Sequence, residues 1–220
     1  MKLVVENLSV VRGEDQIFSA LSFDIKAGQA LIIRGANGVG KSSLLRALAG
    51  LLVPASGEIR LDDRDAEFAD VPLGELCHYL GNDNAMKGAM SVQENLHFWQ
   101  NFAGQPHLDI DDALDMVGLD GLQTVPFSHL STGQRRRIGI ARLLVSYRPV
   151  WLLDEPTVSL DAASVALFAE AVSIHCAAGG IALAATHIEI GLPEGPRIEI
   201  APPSERTADE GDPFLTGAWS

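Results

Sequence analysis

The chain has 220 residues, a formal net charge of −13 and 47% hydrophobic residues, the composition of an ordinary globular protein of one or two domains. A protein that holds DNA or RNA by its phosphates normally carries a basic surface, so this acidic balance argues against a nucleic-acid partner unless a local basic patch overrides it. The N-terminus lacks the pattern of a signal peptide, and no apolar run approaches the ~18 residues that span a bilayer. We expect a soluble protein that reaches a membrane only through a partner.

The first third of the chain predicts strands around one glycine-rich turn. Apolar and polar residues alternate over 2–8 and again over 16–25, which indicates half-buried strands. A short apolar run at 29–34 ends in the turn, and a helical stretch follows at 42–52. Residues 56–62 have the pattern of an edge strand. This part of the chain therefore predicts a small antiparallel β unit.

The middle of the chain, from about 85 to 146, has a helical pattern. Ser91 and Glu94 form a capping box that opens the first helix. Gly118 suits the left-handed turn that ends the second helix. The helices predicted in this insertion cover about 94–102, 110–117 and 133–147.

The last third alternates strand and helix. Residues 150–153 (VWLL) are fully apolar, as in a strand of a parallel sheet that is covered on both faces. A helix is predicted at 162–178 and a last apolar strand at 181–186. The alternation predicts an α/β fold with a parallel sheet. We expect one domain over 1–200, followed by an acidic, proline-containing tail over 201–220.

The glycine-rich turn carries a phosphate-binding motif. GANGVGKSS at 35–43 fits GxxxxGK[ST], with a strand before it and a helix after it. Glycines let successive backbone N–H groups point at phosphate oxygens, Lys41 neutralises the β- and γ-phosphates, and the Ser42 hydroxyl ligates Mg²⁺. The motif predicts ATP and Mg²⁺ as ligands. The predicted contacts come from Gly35, Ala36, Asn37, Gly38, Val39, Gly40, Lys41, Ser42 and Ser43.

A carboxylate pair completes the predicted hydrolytic site. In VWLLDEP at 150–156, a buried strand delivers Asp154 at its carboxyl end, where α/β sheets bind ligands. We expect Asp154 to hold Mg²⁺ through a water molecule and Glu155 to polarise the attacking water as a general base. The two motifs predict a P-loop NTPase. With the pattern of strands and helices, the expected fold has a RecA-like parallel-sheet core, an N-terminal antiparallel β-subdomain and a helical insertion subdomain.

Three further segments identify a family. LSTGQRRR at 130–137 resembles the LSGGQ signature of ABC ATPases, SLD at 159–161 resembles their D-loop, and Thr186-His187 resembles their switch histidine. The five motifs occur in the family's order over residues 1 to about 200. The resemblance implies an ATP-hydrolysing subunit of an ABC complex.

The resemblance also implies that two subunits, as a homodimer, meet head to tail around ATP. Ser131, Gly133, Gln134 and the start of the following helix would contact the nucleotide bound by the opposite subunit. His187 would contact the γ-phosphate of the same nucleotide and orient the attack, and Asp161 would link the two sites across the interface.

Two positions depart from the ABC pattern. Asp83 stands where the family usually has a glutamine that touches Mg²⁺ and the water, and a carboxylate is also a hard oxygen ligand. We expect Asp83 to serve in its place. The first β-loop has no aromatic residue for adenine. Arg12 either stacks on adenine instead or is an ordinary surface arginine.

A narrower resemblance comes from the residues between the motifs. FSALSFDIKAG, ENLHFW, GQRRRIGIARLL and WLLDEPTVSLD are similar to the ATP-binding subunit of cytochrome c maturation (haem exporter) systems. This resemblance implies a peripheral position on the cytoplasmic face of the inner membrane, integral-membrane partner subunits, and hydrolysis that drives release of haem-loaded chaperone or haem export. An ABC ATPase for another substrate, or a soluble regulatory ABC ATPase, remains the alternative.

Several other residues have structural explanations. We expect Cys77 and Cys176 to be reduced, mostly buried thiols and His175 to pack in the core. The basic run Arg135 to Arg137 is interpreted as facing phosphate and the partner subunit. Phe98 and Trp99 are either core residues or part of a surface that receives a membrane subunit.

Overall fold

The computed structural model describes residues 1–13 and 15–201. The predicted tail over 201–220 lies outside the described residues apart from Ala201. Among the residues described, no helix is both long and apolar enough to cross a membrane.

An antiparallel sheet forms the N-terminal part of the fold, in the order β2-β1-β4. Leu3, Val5 and Leu8 of β1 are buried, and the step of three residues from Val5 to Leu8 crosses a register shift that breaks the period of two. The register of the β1–β2 pair shifts at three places, and both strands run longer than predicted. The strands are β1 (Lys2–Arg12), β2 (Asp15–Lys26) and β4 (Ser56–Asp62).

A five-stranded parallel sheet forms the centre, in the order β5-β6-β7-β3-β8. Every residue of its two middle strands, β6 and β7, is buried, which explains their continuous apolar runs. The strands are β3 (Ala30–Arg34), β5 (Cys77–Leu80), β6 (Val150–Asp154), β7 (Ile181–Ala185) and β8 (Arg197–Glu199).

In the part of the chain that the structure describes, five α-helices flank this sheet. Two of them begin with a complete capping box, at Ser91 and at Ser131. Three short 3₁₀ turns lie at Ala66–Phe68, Leu73–Leu76 and Phe127–His129. The helices are α1 (Lys41–Leu48), α2 (Val92–Ala103), α3 (Ile110–Met116), α4 (Thr132–Leu144) and α5 (Ala162–Ala177).

The parallel sheet separates two hydrophobic cores. Trp151 and Leu153 of β6 pack with helices α2 to α5, whereas Val150 and Leu152 pack with α1 and the antiparallel sheet. Because neighbouring residues of a strand point to opposite faces, one strand contributes to both cores. The carboxyl ends of its strands are therefore held from both sides.

The predicted elements are present, but some boundaries were wrong. Helix α1 ends at Leu48 rather than at 52, because Gly50 at φ 70° closes a Schellman turn in which the Leu51 N–H donates to the Arg46 carbonyl at 2.8 Å. Helix α4 starts one residue earlier than predicted and ends at Leu144. Its last carbonyls accept hydrogen bonds from the loop at 107–108 instead of continuing the helix. Strands β5 and β8 were not predicted.

Candidate active site

The phosphate loop links the carboxyl end of β3 to the start of α1. Gly40 precedes the helix at φ 114°, and a Cβ there would lie 2.4 Å from the Ile17 Cγ2 atom. Gly35 has φ 140°, and a Cβ there would lie 2.6 Å from the Ile200 carbonyl oxygen. Both positions require glycine, since the left-handed backbone and the close packing each exclude a side chain.

Lys41 folds back over this loop. Its Nζ atom donates to the carbonyl oxygens of Gly35 at 2.9 Å and Ala36 at 3.0 Å, and the residue is only 7% exposed. These hydrogen bonds satisfy a charge that would otherwise be costly to bury. They also place the ammonium group inside the loop, where a phosphate would bind.

His187 joins Lys41 to Glu155. Its Nε2 atom lies 3.0 Å from the Lys41 Nζ and 3.1 Å from the Glu155 Oε1. Nε2 accepts from Lys41 when unprotonated and donates to Glu155 when protonated. The structure thus brings together three predicted site residues that come from three different segments of the chain.

Asp154 lies beside this group at the end of β6 and is 3% exposed. Its Oδ2 atom accepts a hydrogen bond from the Tyr79 hydroxyl at 3.2 Å, and that hydroxyl accepts one from the Arg46 Nε at 3.4 Å. Burial raises the pKa of Tyr79, which keeps the phenol protonated as the donor. Tyr79 was not predicted as a site residue, because it lies on the strand that the sequence pattern missed.

The oxygen donors in this region fit Mg²⁺ bound together with a nucleotide. Within the described part of the chain, no three His, Cys, Asp or Glu side chains form a cluster that would hold a metal ion by themselves. Mg²⁺ usually takes one or two protein oxygens and completes its shell with water and phosphate. The Ser42 hydroxyl and the Asp154 carboxylate are donors of this kind.

Asp83 lies in the segment that follows β5, at the carboxyl edge of the sheet. Its side chain is exposed and lines a groove that Tyr79 also lines. The neighbouring Asn84 is half-buried, and its Oδ1 atom accepts a hydrogen bond from the Arg136 Nη1 at 3.3 Å. Asp83, which replaces the family's usual glutamine, therefore lies on a loop that is anchored through the side chain of the next residue, Asn84.

Ser131 and Gln134 cap the start of α4. The Gln134 N–H donates to the Ser131 Oγ at 3.2 Å, and the Ser131 N–H donates to the Gln134 Oε1 at 2.9 Å. Ser131 is exposed, so the start of the helix faces solvent. A Cβ at Gly133 would lie 2.9 Å from the Ser159 carbonyl oxygen, which places the signature next to the predicted D-loop.

Asp161 caps the start of α5. Its Oδ1 atom accepts a hydrogen bond from the Ser164 N–H at 2.8 Å. Hydrogen bonds from Ser164 hold the pKa of Asp161 below its usual value. The carboxylate is thus ionised and fixed at the helix start, directly after the segment that touches Gly133.

The interpretation of Arg135 to Arg137 as a phosphate-facing run was wrong for Arg136. This residue is 5% exposed and its guanidinium points inward, to carbonyl groups of its own chain. The other two guanidinium groups also donate to carbonyls of this chain. Three consecutive charges in the sequence carry no signal of which one faces inward, so this role could not be predicted.

The remaining candidates differ in burial, and only His175 and Cys176 belong to the core. His175 is 7% exposed and stacks on Trp151 with ring centroids 4.1 Å apart, which confirms the expected packing role. Cys176 is buried and Cys77 is half-buried. Phe98 and Trp99 lie on α2, and Phe98 is 41% exposed.

The comparisons with known proteins identify the family of the chain. The family model described as ABC transporter matches residues 18–158. The chain is 50% identical to the cytochrome c biogenesis ATP-binding export protein CcmA of Mesorhizobium japonicum over 192 residues, covering 87% of this chain and 94% of that protein. It is 54% identical to the protein of the same name from Brucella abortus, with coverages of 87% and 88%.

Solved structures share the fold. A putative ABC transporter ATP-binding protein from Pyrococcus furiosus matches with a TM-score of 0.78 at 23% identity, over 91% of this chain and 98% of that one. CbiO1 from Clostridium perfringens, described as part of the ABC transporter complex cbiONQ, matches with a TM-score of 0.68 at 29% identity, over 84% and 78%. The chain therefore belongs to the ABC transporter family, in the group of cytochrome c biogenesis ATP-binding export proteins.

Proposed function

We propose that this ABC ATPase hydrolyses ATP between two copies of the chain and uses the reaction to drive haem handling in cytochrome c biogenesis. The observation that carries the proposal is the line of contacts from Lys41 through His187 to Glu155, at the carboxyl edge of the sheet. An ammonium group, an imidazole and a carboxylate in this order supply the phosphate ligand, the group that orients the γ-phosphate and the base that hydrolysis of a phosphoanhydride needs.

The residues from Gly35 to Ser43 would hold the phosphates through backbone N–H groups. Lys41 would exchange its bonds to the Gly35 and Ala36 carbonyls for bonds to phosphate oxygens. Ser42, Asp154 and Asp83 would hold Mg²⁺, which neutralises charge on the phosphate oxygens when it is bound.

Glu155 would accept the proton of the attacking water. Its side chain is partly exposed, at 25%, so water reaches it. His187 is at hydrogen-bonding distance from both Glu155 and Lys41 and would orient the γ-phosphate against the base. Both groups are held at the ends of buried strands, which keeps the reacting atoms aligned.

The second copy of the chain would close the site. Ser131 is exposed at the start of a 13-residue helix, and the positive end of a helix dipole attracts anions. Ser131, Gly133 and Gln134 of one copy would contact the nucleotide on the other. Asp161 would transmit the state of one site to the other, because the segment before it contacts Gly133.

A groove beside the site is the proposed binding surface for an integral-membrane subunit. It has a volume of about 620 Å³ and carries exposed apolar side chains, with Phe102 72% and Leu51 65% exposed. Exposed apolar patches of this kind mark interaction surfaces. Tyr79 and Asp83 also line this groove, so a subunit seated there would lie against the magnesium side of the site.

The assignment to haem handling rests on the curated relatives, whose printed names place them in cytochrome c biogenesis as export proteins. The proposed location is the cytoplasmic face of the inner membrane, as a peripheral protein. The alternative, an ABC ATPase for another substrate, would keep the site and change the membrane partner.

Replacement of Glu155 by glutamine tests the proposal. Glu155→Gln keeps the shape of the side chain but removes the base, so ATP hydrolysis is expected to fall by a factor of roughly 10² to 10⁴. ATP binding should persist, and light scattering with ATP and Mg²⁺ should show a dimer that does not dissociate.

Glu170→Gln provides the control, since Glu170 is an exposed residue of α5 and the substitution removes the same charge. Its hydrolysis rate should match that of the parent protein. If the Glu155→Gln protein hydrolysed ATP at the parent rate, Glu155 would not be the general base.

A further inference from the structure

Arg136 connects three segments of the catalytic region from inside the protein. It lies on α4, five residues after Ser131, and its guanidinium donates to five acceptors. Four are backbone carbonyls: Gly81 at 2.6 Å, Asp154 at 3.0 Å, Glu155 at 2.8 Å and Pro156 at 2.9 Å. The fifth acceptor is the Asn84 Oδ1, at 3.3 Å.

The chemistry of the guanidinium suits this set of acceptors. It presents five donors in a rigid planar fork, so it reaches carbonyls on two separate segments at once. A lysine at this position would offer three donors on one nitrogen. Burial lowers the pKa of Arg136, and the nearby Asp154 and Glu155 charges oppose that shift. The side chain stays charged because the ordinary pKa of arginine lies far above neutral pH and the carboxylates offset part of the desolvation.

The three consecutive carbonyls belong to the turn that positions the base. Glu155 has φ 43°, a left-handed backbone conformation that is uncommon for a residue with a side chain. In this turn the carbonyls of residues 154–156 all point toward the same cation. A non-glycine residue keeps such a backbone only when its surroundings enforce it. The guanidinium of Arg136 supplies that enforcement.

The other two acceptors flank the predicted magnesium ligand. Gly81 and Asn84 lie on either side of Asp83, so the same guanidinium fixes the loop that carries this carboxylate. The signature helix α4 is thereby tied to both the base and the magnesium side of the site.

We infer that Arg136 is a positioning residue. It fixes the turn at 154–156, which carries Glu155, and the Asp83 loop at 81–84 relative to the signature helix α4. Movement of α4 on dimer closure would then move both groups together. This inference rests on the proposed role of Glu155. Arg136 donates to the backbone of Asp154 and Glu155, which are proposed to contact Mg²⁺ and the attacking water, and it acts through them.

The test compares hydrolysis with binding in the full chain. Arg136→Lys and Arg136→Met are expected to lower kcat on the order of a hundredfold, because small displacements of reacting groups have effects of this size. The Kd for ATP, measured with a fluorescent nucleotide, should stay within about threefold of the parent value, since the phosphate loop is not touched. Rates are measured well below the Tm of each variant.

Arg64→Met is the matched control. The Arg64 guanidinium also donates to three backbone carbonyls, of Leu61, Phe68 and Val71, but in the loop after β4 and away from the catalytic residues. It should lower the Tm and leave kcat near the parent value. Equal kcat losses in Arg64→Met and Arg136→Met would overturn the inference, as would an Arg136→Met protein with the parent kcat.

A second variant covers the case in which Arg136→Met does not fold. Asn84→Ala removes one of the two contacts to the Asp83 loop and leaves the contact to the Gly81 carbonyl, and it should lower kcat with little change in Tm. A parent kcat in Asn84→Ala would count against the inference.

Glu155→Gln is measured alongside these variants. If Glu155→Gln retains the parent rate, the proposed function fails. An inactive Glu155→Gln together with a fully active Arg136→Met contradicts only the role of Arg136.

Discussion

Two histidines show how burial fixes a protonation state at the scale of single residues. The His78 Nε2 lies 2.9 Å from the Ser146 carbonyl oxygen, so it carries the proton and donates it. Burial lowers the pKa of His78 to about 3 and that of His175 to about 4. Both side chains are therefore neutral in the folded protein at neutral pH.

This burial makes stability depend on pH. In the unfolded chain both imidazoles have a pKa near 6.5, so the unfolded state binds more protons than the folded state below that value. Stability is then complete above about pH 6.5 and falls as the pH drops toward 4. At pH 5 the loss is on the order of 2 kcal/mol for each histidine. Urea unfolding curves between pH 5 and pH 8 measure it.

The variant His175→Gln should lose its share of this pH dependence, so its unfolding free energy should change less between pH 7 and pH 5. His97→Gln, at an exposed position of α2, should follow the parent curve. A His175→Gln curve parallel to that of the parent would show that His175 does not carry the dependence.

At the scale of elements, helices α2 and α4 both begin with a capping box. In α2 the Glu94 N–H donates to the Ser91 Oγ at 3.2 Å, and the Ser91 N–H donates to the Glu94 Oε2 at 2.7 Å. The α4 box has closely similar distances, 3.2 and 2.9 Å. Only the α4 capping box is proposed to contact the nucleotide of a second copy. Substitutions in the two boxes therefore distinguish an effect on helix capping from an effect on catalysis.

Ser91→Ala and Ser131→Ala should each reduce the free energy of unfolding by about 1 kcal/mol, the usual cost of losing a serine cap. Ser91→Ala should keep the parent ATPase rate, whereas Ser131→Ala should hydrolyse ATP several-fold more slowly. Denaturant unfolding and steady-state hydrolysis measure the two effects. Equal hydrolysis rates in the two variants would mean that Ser131 is only a cap.

The elements also show what sequence reasoning reached and what it missed. The phosphate loop, the carboxylate pair and Ser91–Glu94 are local patterns, and each has the predicted form in the structure. Strand β5 has four residues and β8 has three, and neither gives a periodic signal of its own. The contact of His187 with Lys41 joins residues 146 positions apart and depends on the sheet order, which no local pattern encodes.

At the scale of the whole molecule, the parallel sheet places two kinds of surface near each other. Its carboxyl edge carries Glu155 and His187, and the groove next to β5 exposes Phe102 and Leu51. Tyr79 belongs to both, because it lines the groove and donates to Asp154. A protein seated in the groove would therefore press on a residue that contacts the hydrolytic site.

Phe102→Asp tests whether this groove receives an integral-membrane subunit. Phe102 is 72% exposed, so a charge there should not unfold the domain, but it should weaken docking of an apolar segment by about 2 kcal/mol, or about thirtyfold. Tagged protein is recovered from detergent-solubilised membranes, the bound proteins are identified by mass spectrometry, and an absorbance scan records haem. Ile174→Asp, at a 50% exposed position of α5 outside the groove, should recover the same partners as the parent. Equal recovery with Phe102→Asp would place the membrane subunit elsewhere on the surface.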